Sequence, residues 1–175
     1  MSDLNDFLAD KRVALAGFMA EAAANPEKMT LSASVDVRGR SGVRVIKVRQ
    51  FEMVSDTDSS LAGFDLGPNS PEIQLAALGS CIAHTALMVA AMMELSIDEI
   101  GVEVSAEGHP LAQTPGYEEV PIEPHNFRYT IQITSTEPEP KIEELHRQIQ
   151  ATCPLYKLLV NPQTIHGNVV LSAPS

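Results

Sequence analysis

Two cysteines are the only thiols in this chain, and each stands where sulfur can be activated. Cys81 lies in the run AALGSCIAHT, inside the longest apolar segment. His84 and Thr85, three and four residues on, share its face of a helix. A thiol reacts as its thiolate, so Cys81 needs a lowered pKa and some access, and a protonated His84 is one way to supply the first. The competing reading makes Cys81 a small residue packed in a buried helix, and His84 a hydrogen-bonded core residue. Cys153 precedes Pro154 in ATCPLYKLL. Cys-Pro at a helix start puts sulfur at the N-cap, where backbone N–H groups and the helix dipole favour a thiolate. The plainer alternative is a helix start that happens to carry a cysteine. The two are 72 residues apart, so local geometry does not pair them. A fold that unites them makes a dithiol redox centre. A fold that does not leaves two buried small residues.

Around these thiols stand residues of weaker signal. Glu72 is a helix-dipole acid, or it holds an arginine near a thiol. It lies nine residues before Cys81, roughly 13 Å away and about 180° around a straight helix. Both can serve one site only if the helix start is irregular or Glu72 comes from a partner chain. Arg40 falls in a turn, with Arg38, Arg44 and Arg49 on flanking strands, where an arginine is commonly a solvated face residue. Met88, Met92 and Met93 suit a core, or an adaptable apolar pocket. His109, His125, His146 and His166 are scattered without metal-ligand spacing. The chain has no H-x-x-x-H, C-x-x-C, glycine-rich phosphate loop or G-x-S-x-G, so no metal, nucleotide cofactor or serine nucleophile is expected.

Composition narrows the class further. A chain of 175 residues fits one domain, with 44% hydrophobic residues to build a core. A net charge of −11, with Lys and Arg scattered, argues against nucleic acid. The N-terminus MSDLNDFLADKR has no hydrophobic stretch of the signal type. No uninterrupted apolar run of about 18 residues suggests a membrane span. Distant cysteines without a signal fit a reducing cytoplasm, where a disulfide is more often transient than structural.

The elements that must position the thiols follow from periodicity. Residues 3–24 carry apolar positions at helical spacing, ended by Asn25-Pro26, and suit a docking or dimer-forming surface. Residues 29–38 and 43–54 read as two strands joined through Gly39-Arg40-Ser41-Gly42. Ser70-Pro71-Glu72 starts a helix with Ser70 as N-cap. It runs to about Leu95, apolar all round and so buried on most sides. Strands follow over 100–107 and 126–135, separated by a Pro- and Glu-rich loop. In the second, Phe127, Tyr129, Ile131 and Ile133 share one face. Helices over 138–151 and from Pro154, and a last strand over 167–172, complete the order. The class is α+β with antiparallel pairings.

With these residues in view, GPNSPEIQLAALGSC resembles the signature of the OsmC/Ohr superfamily (osmotically induced protein C and organic hydroperoxide resistance protein). Its helix reads roughly E-L-L-L-A-A-L-G-S-C, and CPLYKLL resembles its second motif. The resemblance covers roughly residues 29–172, leaving 1–28 as an N-terminal helical extension to an OsmC-like domain over 29–175. It implies antiparallel sheets around a long central helix, in an intertwined homodimer with sites at the subunit interface. It further implies a thiol-dependent peroxidase. Cys81 would become a sulfenic acid and Cys153 would resolve it as a disulfide, reduced by a small dithiol or a lipoylated protein. The family's glutamate falls on Glu72, and its arginine on Arg40 or, alternatively, Arg49. The polar loop before the central helix lacks the extended glycine-rich run of dedicated organic hydroperoxide reductases. The alternative function is therefore a non-peroxidatic relative that binds a small apolar ligand at the dimer interface.

Overall fold

The computed structural model describes residues 4–173. Its elements are α1 (Leu4–Ala24), β1 (Ser34–Arg38), β2 (Val43–Val48), β3 (Phe51–Ser55), α2 (Ser70–Met92), β4 (Ile97–Glu107), β5 (His125–Ser135), α3 (Glu139–Thr152) and α4 (Pro154–Val160). Strands β1, β2 and β3 form one antiparallel sheet in that order, and β4 and β5 form a second. This is the expected α+β architecture, with the N-terminal helix present.

The body is α2 packed against β4, α1, α3 and α4. Inward residues of the long hairpin meet it in register. Ile100 pairs with Ile133, Val102 with Ile131 and Val104 with Tyr129, and all six pack on the core. The alternation expected over 126–135 is therefore present, with Phe127 and Tyr129 on the inner face. From α3, Leu145 and Ile149 lie one turn apart on the buried stripe. The first half of α1 adds Leu8 to this core. Its polar residues tie it to the end of α2 and the start of β4. Arg12 Nε donates to the Ala91 carbonyl at 2.8 Å, and Asn5 Oδ1 accepts from the Ile97 N–H at 2.8 Å. Beyond Arg12, Val13, Phe18 and Met19 are exposed.

Several expectations need correction. The second strand, read over 43–54, is two strands. Val48 pairs with Phe51, so Arg49-Gln50 makes a tight turn, with Arg49 at φ 55°. Apolar residues run through both strands, and the turn carries none of the usual Gly, Asn or Asp, so nothing in the pattern marks it. The first hairpin turn does carry its signal, with Gly39 and Gly42 both at positive φ. The first strand begins at Ser34 rather than 29, where its pairing with β2 starts opposite Lys47.

The N-cap of α2 is Asn69, not Ser70. Asn69 Oδ1 accepts from the Glu72 N–H at 3.0 Å, and Glu72 Oε2 accepts from the Asn69 N–H at 2.7 Å. This reciprocal capping box puts Pro71 in the first turn. Asn69→Ala is expected to lower stability by about 1 kcal/mol, read as a shift in the urea midpoint without a change in slope. Ahead of it, buried Asp56 holds the loop. Its Oδ2 accepts from the N–H groups of Phe64 at 3.0 Å and Leu66 at 3.3 Å. The Thr57 N–H first, and then these two and Arg44, hold its carboxyl below the usual carboxylate range against the opposing effect of burial.

Burial of α2 is also less complete than expected. By length and composition it could cross a membrane. Here Ile82, Ala86, Val89, Ala90 and Ala91 sit in the core, while Ala76, Ala77 and Ser80 in its first half are exposed. One chain covers the second half more fully than the first, where Leu78 alone is buried. Likewise, residues 167–172 form no strand. A strand needs a partner edge, and among the described residues none meets the segment, whose Val169 and Leu171 are each 95% exposed. Val35, Val37, Phe51 and Met53 of the three-stranded sheet are exposed too.

Candidate dithiol site

The fold brings the two cysteines together. The Cys153 thiol donates to the Cys81 sulfur at 3.5 Å. Cys81 comes from the middle of α2, half-buried, and Cys153 is fully buried at the junction of α3 and α4. The junction is a local consequence of Cys-Pro. A proline pushes the residue before it out of the helical region, and Cys153 is extended, with φ −68° and ψ 117°. It ends α3, donating its N–H to the Ile149 carbonyl at 2.8 Å, and starts α4, accepting from the Lys157 N–H at 3.0 Å. The chain breaks direction at the sulfur and turns it toward α2.

Electrostatics leave Cys81 unactivated in the single chain. Burial pushes its thiol above the ordinary range. The backbone N–H of Leu155, at the start of α4, opposes this, and Cys153 adds to the rise. None of the leading influences is a cation. His84 is exposed on the surface of α2, so it is not the buried, hydrogen-bonded core residue of the plain reading. Thr85 Oγ1 donates to the Cys81 carbonyl at 2.8 Å, and its hydroxyl also lowers the thiol slightly.

The remaining candidates lie elsewhere. Glu72 serves the capping box and makes no ion pair among the described residues. Arg40 is exposed in the β1–β2 turn, and the Arg49 guanidinium lies over the Phe51 ring, 5.2 Å from its centroid. Arg44 donates to Ser55 Oγ at 3.1 Å. All three arginines belong to a sheet whose strands pack chiefly on one another, so the chain by itself brings none of them to the sulfurs. Of the methionines, Met93 packs on the core and Met92 is exposed.

Sequence reasoning missed the lining. An apolar cleft of about 160 Å³ lies between α2 and α4, walled by Gln74, Ala77, Leu78, Leu155, Leu158 and Leu159. Ala77 and Leu78 stand one turn before Cys81, and Leu155 is the residue whose N–H meets its sulfur. Only the spacing in CPLYKLL hinted at this wall. Between β5 and α3, the Tyr129 hydroxyl lies 2.7 Å from His146 Nε2 and accepts from Gln150 Nε2 at 3.0 Å. Among the described residues, no group of three His, Cys, Asp or Glu side chains could hold a metal.

Such a pair of free thiols, set between a core helix and a Cys-Pro helix junction in an α+β chain, defines a class of dithiol protein. The chain belongs to the OsmC family. The family described as "OsmC-like protein" matches residues 63–166, more than half of the 175, and the match spans Glu72, Cys81 and Cys153 but neither Arg40 nor Arg49. Solved structures with the same fold include an OsmC-like protein from Mycoplasma pneumoniae, with TM-score 0.65 and 17% identity, covering 77% of this chain and 89% of that one. A protein from Psychrobacter arcticus, described as a putative osmotic stress induced and detoxification response protein, has TM-score 0.58 and 17% identity, covering 75% and 88%. An organic hydroperoxide resistance protein OsmC from Legionella pneumophila has TM-score 0.54 and 14% identity, covering 76% and 90%. At these identities the likeness establishes the fold. The search of curated protein sequences gave no match.

Proposed function

We propose that this protein is a thiol-dependent peroxidase that reduces organic hydroperoxides. The observation that carries the reading is the 3.5 Å separation of two free sulfurs, one partly open and one buried. The open Cys81 attacks the peroxide O–O bond and becomes a sulfenic acid, releasing the alcohol. Cys153 displaces the sulfenic hydroxyl as water and forms a disulfide, which stops further oxidation. A disulfide is about 2.05 Å long, so closure needs only a small approach of the sulfurs. The apolar cleft beside Cys81 favours a greasy substrate over hydrogen peroxide. A small dithiol or a lipoylated protein then returns the thiols, in the reducing conditions of the cytoplasm.

The working unit is a homodimer. The exposed apolar sheet, the open first half of α2 and the unpaired segment ending in VVLSA all call for a covering partner. A cation must also lower the Cys81 thiol, and Arg40 or Arg49 from the second subunit, oriented by Glu72, fills that role. Residues 1–28 are an extension to the domain over 29–175.

Rapid mixing of the reduced protein with cumene hydroperoxide tests this. The expected result is loss of both thiols and a Cys81–Cys153 disulfide in peptide mapping. Intact thiols under lasting excess of peroxide would overturn it. The raised Cys81 thiol favours the second reading, a protein that binds a small apolar ligand, and that outcome would select it.

A further inference from the structure

Two free sulfurs 3.5 Å apart, one half-open and one sealed, are a chelating pair as well as a redox pair. The gap selects what can bridge it. A disulfide needs about 2.05 Å. A straight bridge through one atom, with bonds of about 2.3 Å, needs roughly 4.6 Å, and a tetrahedral centre with the same bonds needs roughly 3.8 Å. The sulfurs therefore suit a bent bridge through one soft atom. Zinc would fill its tetrahedron with further ligands, but among the described residues no group of three His, Cys, Asp or Glu side chains could hold it. Trivalent arsenic asks the protein for two sulfurs alone, because it carries its third substituent with it. It is pyramidal, with bond angles narrower than tetrahedral, so it draws two sulfurs closer than the tetrahedral angle would.

Room for that substituent lies next to the pair. Leu155 joins the two places: its backbone N–H meets the Cys81 sulfur, and the residue walls the cleft of about 160 Å³ between α2 and α4. Ala77 and Leu78, one turn before Cys81, wall it as well, and of all its lining residues Gln74 alone is polar. An apolar cavity of about 150 Å³ is enough to hold benzene.

We propose that Cys81 and Cys153 form a chelating site for trivalent arsenicals that carry one apolar substituent, with both sulfurs bonded to arsenic and the substituent in the α2–α4 cleft. This binding function does not depend on the peroxidase reading. It also needs no cation at the sulfurs, since the arsenical and its adduct are both uncharged. The chemistry is a double exchange. Phenylarsine oxide is hydrated in water to C6H5As(OH)2. The open Cys81 sulfur attacks arsenic first: an As–S bond forms, an As–O bond breaks, and the hydroxide leaves as water with the thiol proton. Cys153, 3.5 Å away, repeats the exchange and releases the second water. Arsenic stays trivalent and no electrons move.

The test uses phenylarsine oxide and the reduced full chain. The expected result is one arsenical per chain by intact mass and loss of both thiols. The adduct is expected to survive excess 2-mercaptoethanol and to be released by 2,3-dimercaptopropanol. Cys81→Ser and Cys153→Ser each keep one thiol and are expected to bind roughly a hundredfold or more weakly, because the second bond no longer adds to the first. Leu158→Ala, on a partly exposed cleft residue, is expected to weaken phenylarsine oxide by about threefold or more and to leave arsenite, which has no apolar substituent, unchanged. Loss of a single thiol, or release by 2-mercaptoethanol, would overturn the chelate. Equal effects of Leu158→Ala on the two arsenicals would overturn the place given to the substituent. Should Cys153→Ser unfold, the thiol count and the release pattern of the unmodified protein decide alone. Failure of the peroxidase reading shows separately, as thiols that bind the arsenical and stay intact under cumene hydroperoxide.

Discussion

Cys81→Ser is expected to abolish peroxide turnover, by on the order of a thousandfold or more, whereas Cys153→Ser leaves a single rapid oxidation that then stalls. The asymmetry follows from exposure. Cys81 is the half-open sulfur, one turn beyond the Ala77 and Leu78 that wall the apolar cleft, and in the proposed reaction it is the one that meets the substrate. Cys153 is sealed and reaches only its neighbour. With Cys153 removed, the sulfenic acid on Cys81 has no resolving thiol within reach and persists long enough to be labelled by dimedone. Single-turnover mixing followed by intact-mass measurement reads both outcomes. Equal loss in the two variants would mean that the sulfurs do not divide attack and resolution between them. Full activity in Cys81→Ser would remove the chemistry from this site.

Leu145→Ala is expected to destabilise the fold by about 2–5 kcal/mol. Leu145 is 0% exposed, on the stripe of α3 that faces α2, in the same cluster as Ile82, Ile97, Ile149 and Cys153. The change removes three buried carbons and leaves a cavity between helices that carry the two sulfurs, so the neighbours cannot close it without moving α3. Urea denaturation at one fixed protein concentration reads the loss, since association would otherwise shift the midpoint. Ile122→Ala, on a residue 75% exposed in the β4–β5 loop, is expected to stay within about 0.5 kcal/mol. A Leu145→Ala change as small as that would mean that α3 is not anchored on the core.

What was legible in the residues was what short-range physics controls. The periods of α1, α2 and β5, the glycines of the first hairpin turn and the proline after Cys153 each act over a few residues, and each matches an observed feature. The Arg49-Gln50 turn did not show, because its left-handed residue carries no glycine or asparagine to betray it. The choice of Asn69 over Ser70 as cap did not show either. Both residues are good caps, and the selection lies in the reciprocal bonds with Glu72.

By itself the sequence determined that two thiols exist, that one sits on a long apolar helix and the other at a helix break, and that the family signature joins them in one chain. Only the tertiary structure decided that the sulfurs lie 3.5 Å apart across 72 residues, because that distance depends on how α3 packs its Leu145–Ile149 stripe on α2. It also decided that Cys81 is raised rather than lowered, since burial in the assembled core outweighs the Leu155 N–H and the Thr85 hydroxyl. Nor does the order of residues say that Tyr129, His146 and Gln150 converge. They come from a strand and a helix whose register is set by packing, and packing is the one term no local pattern contains.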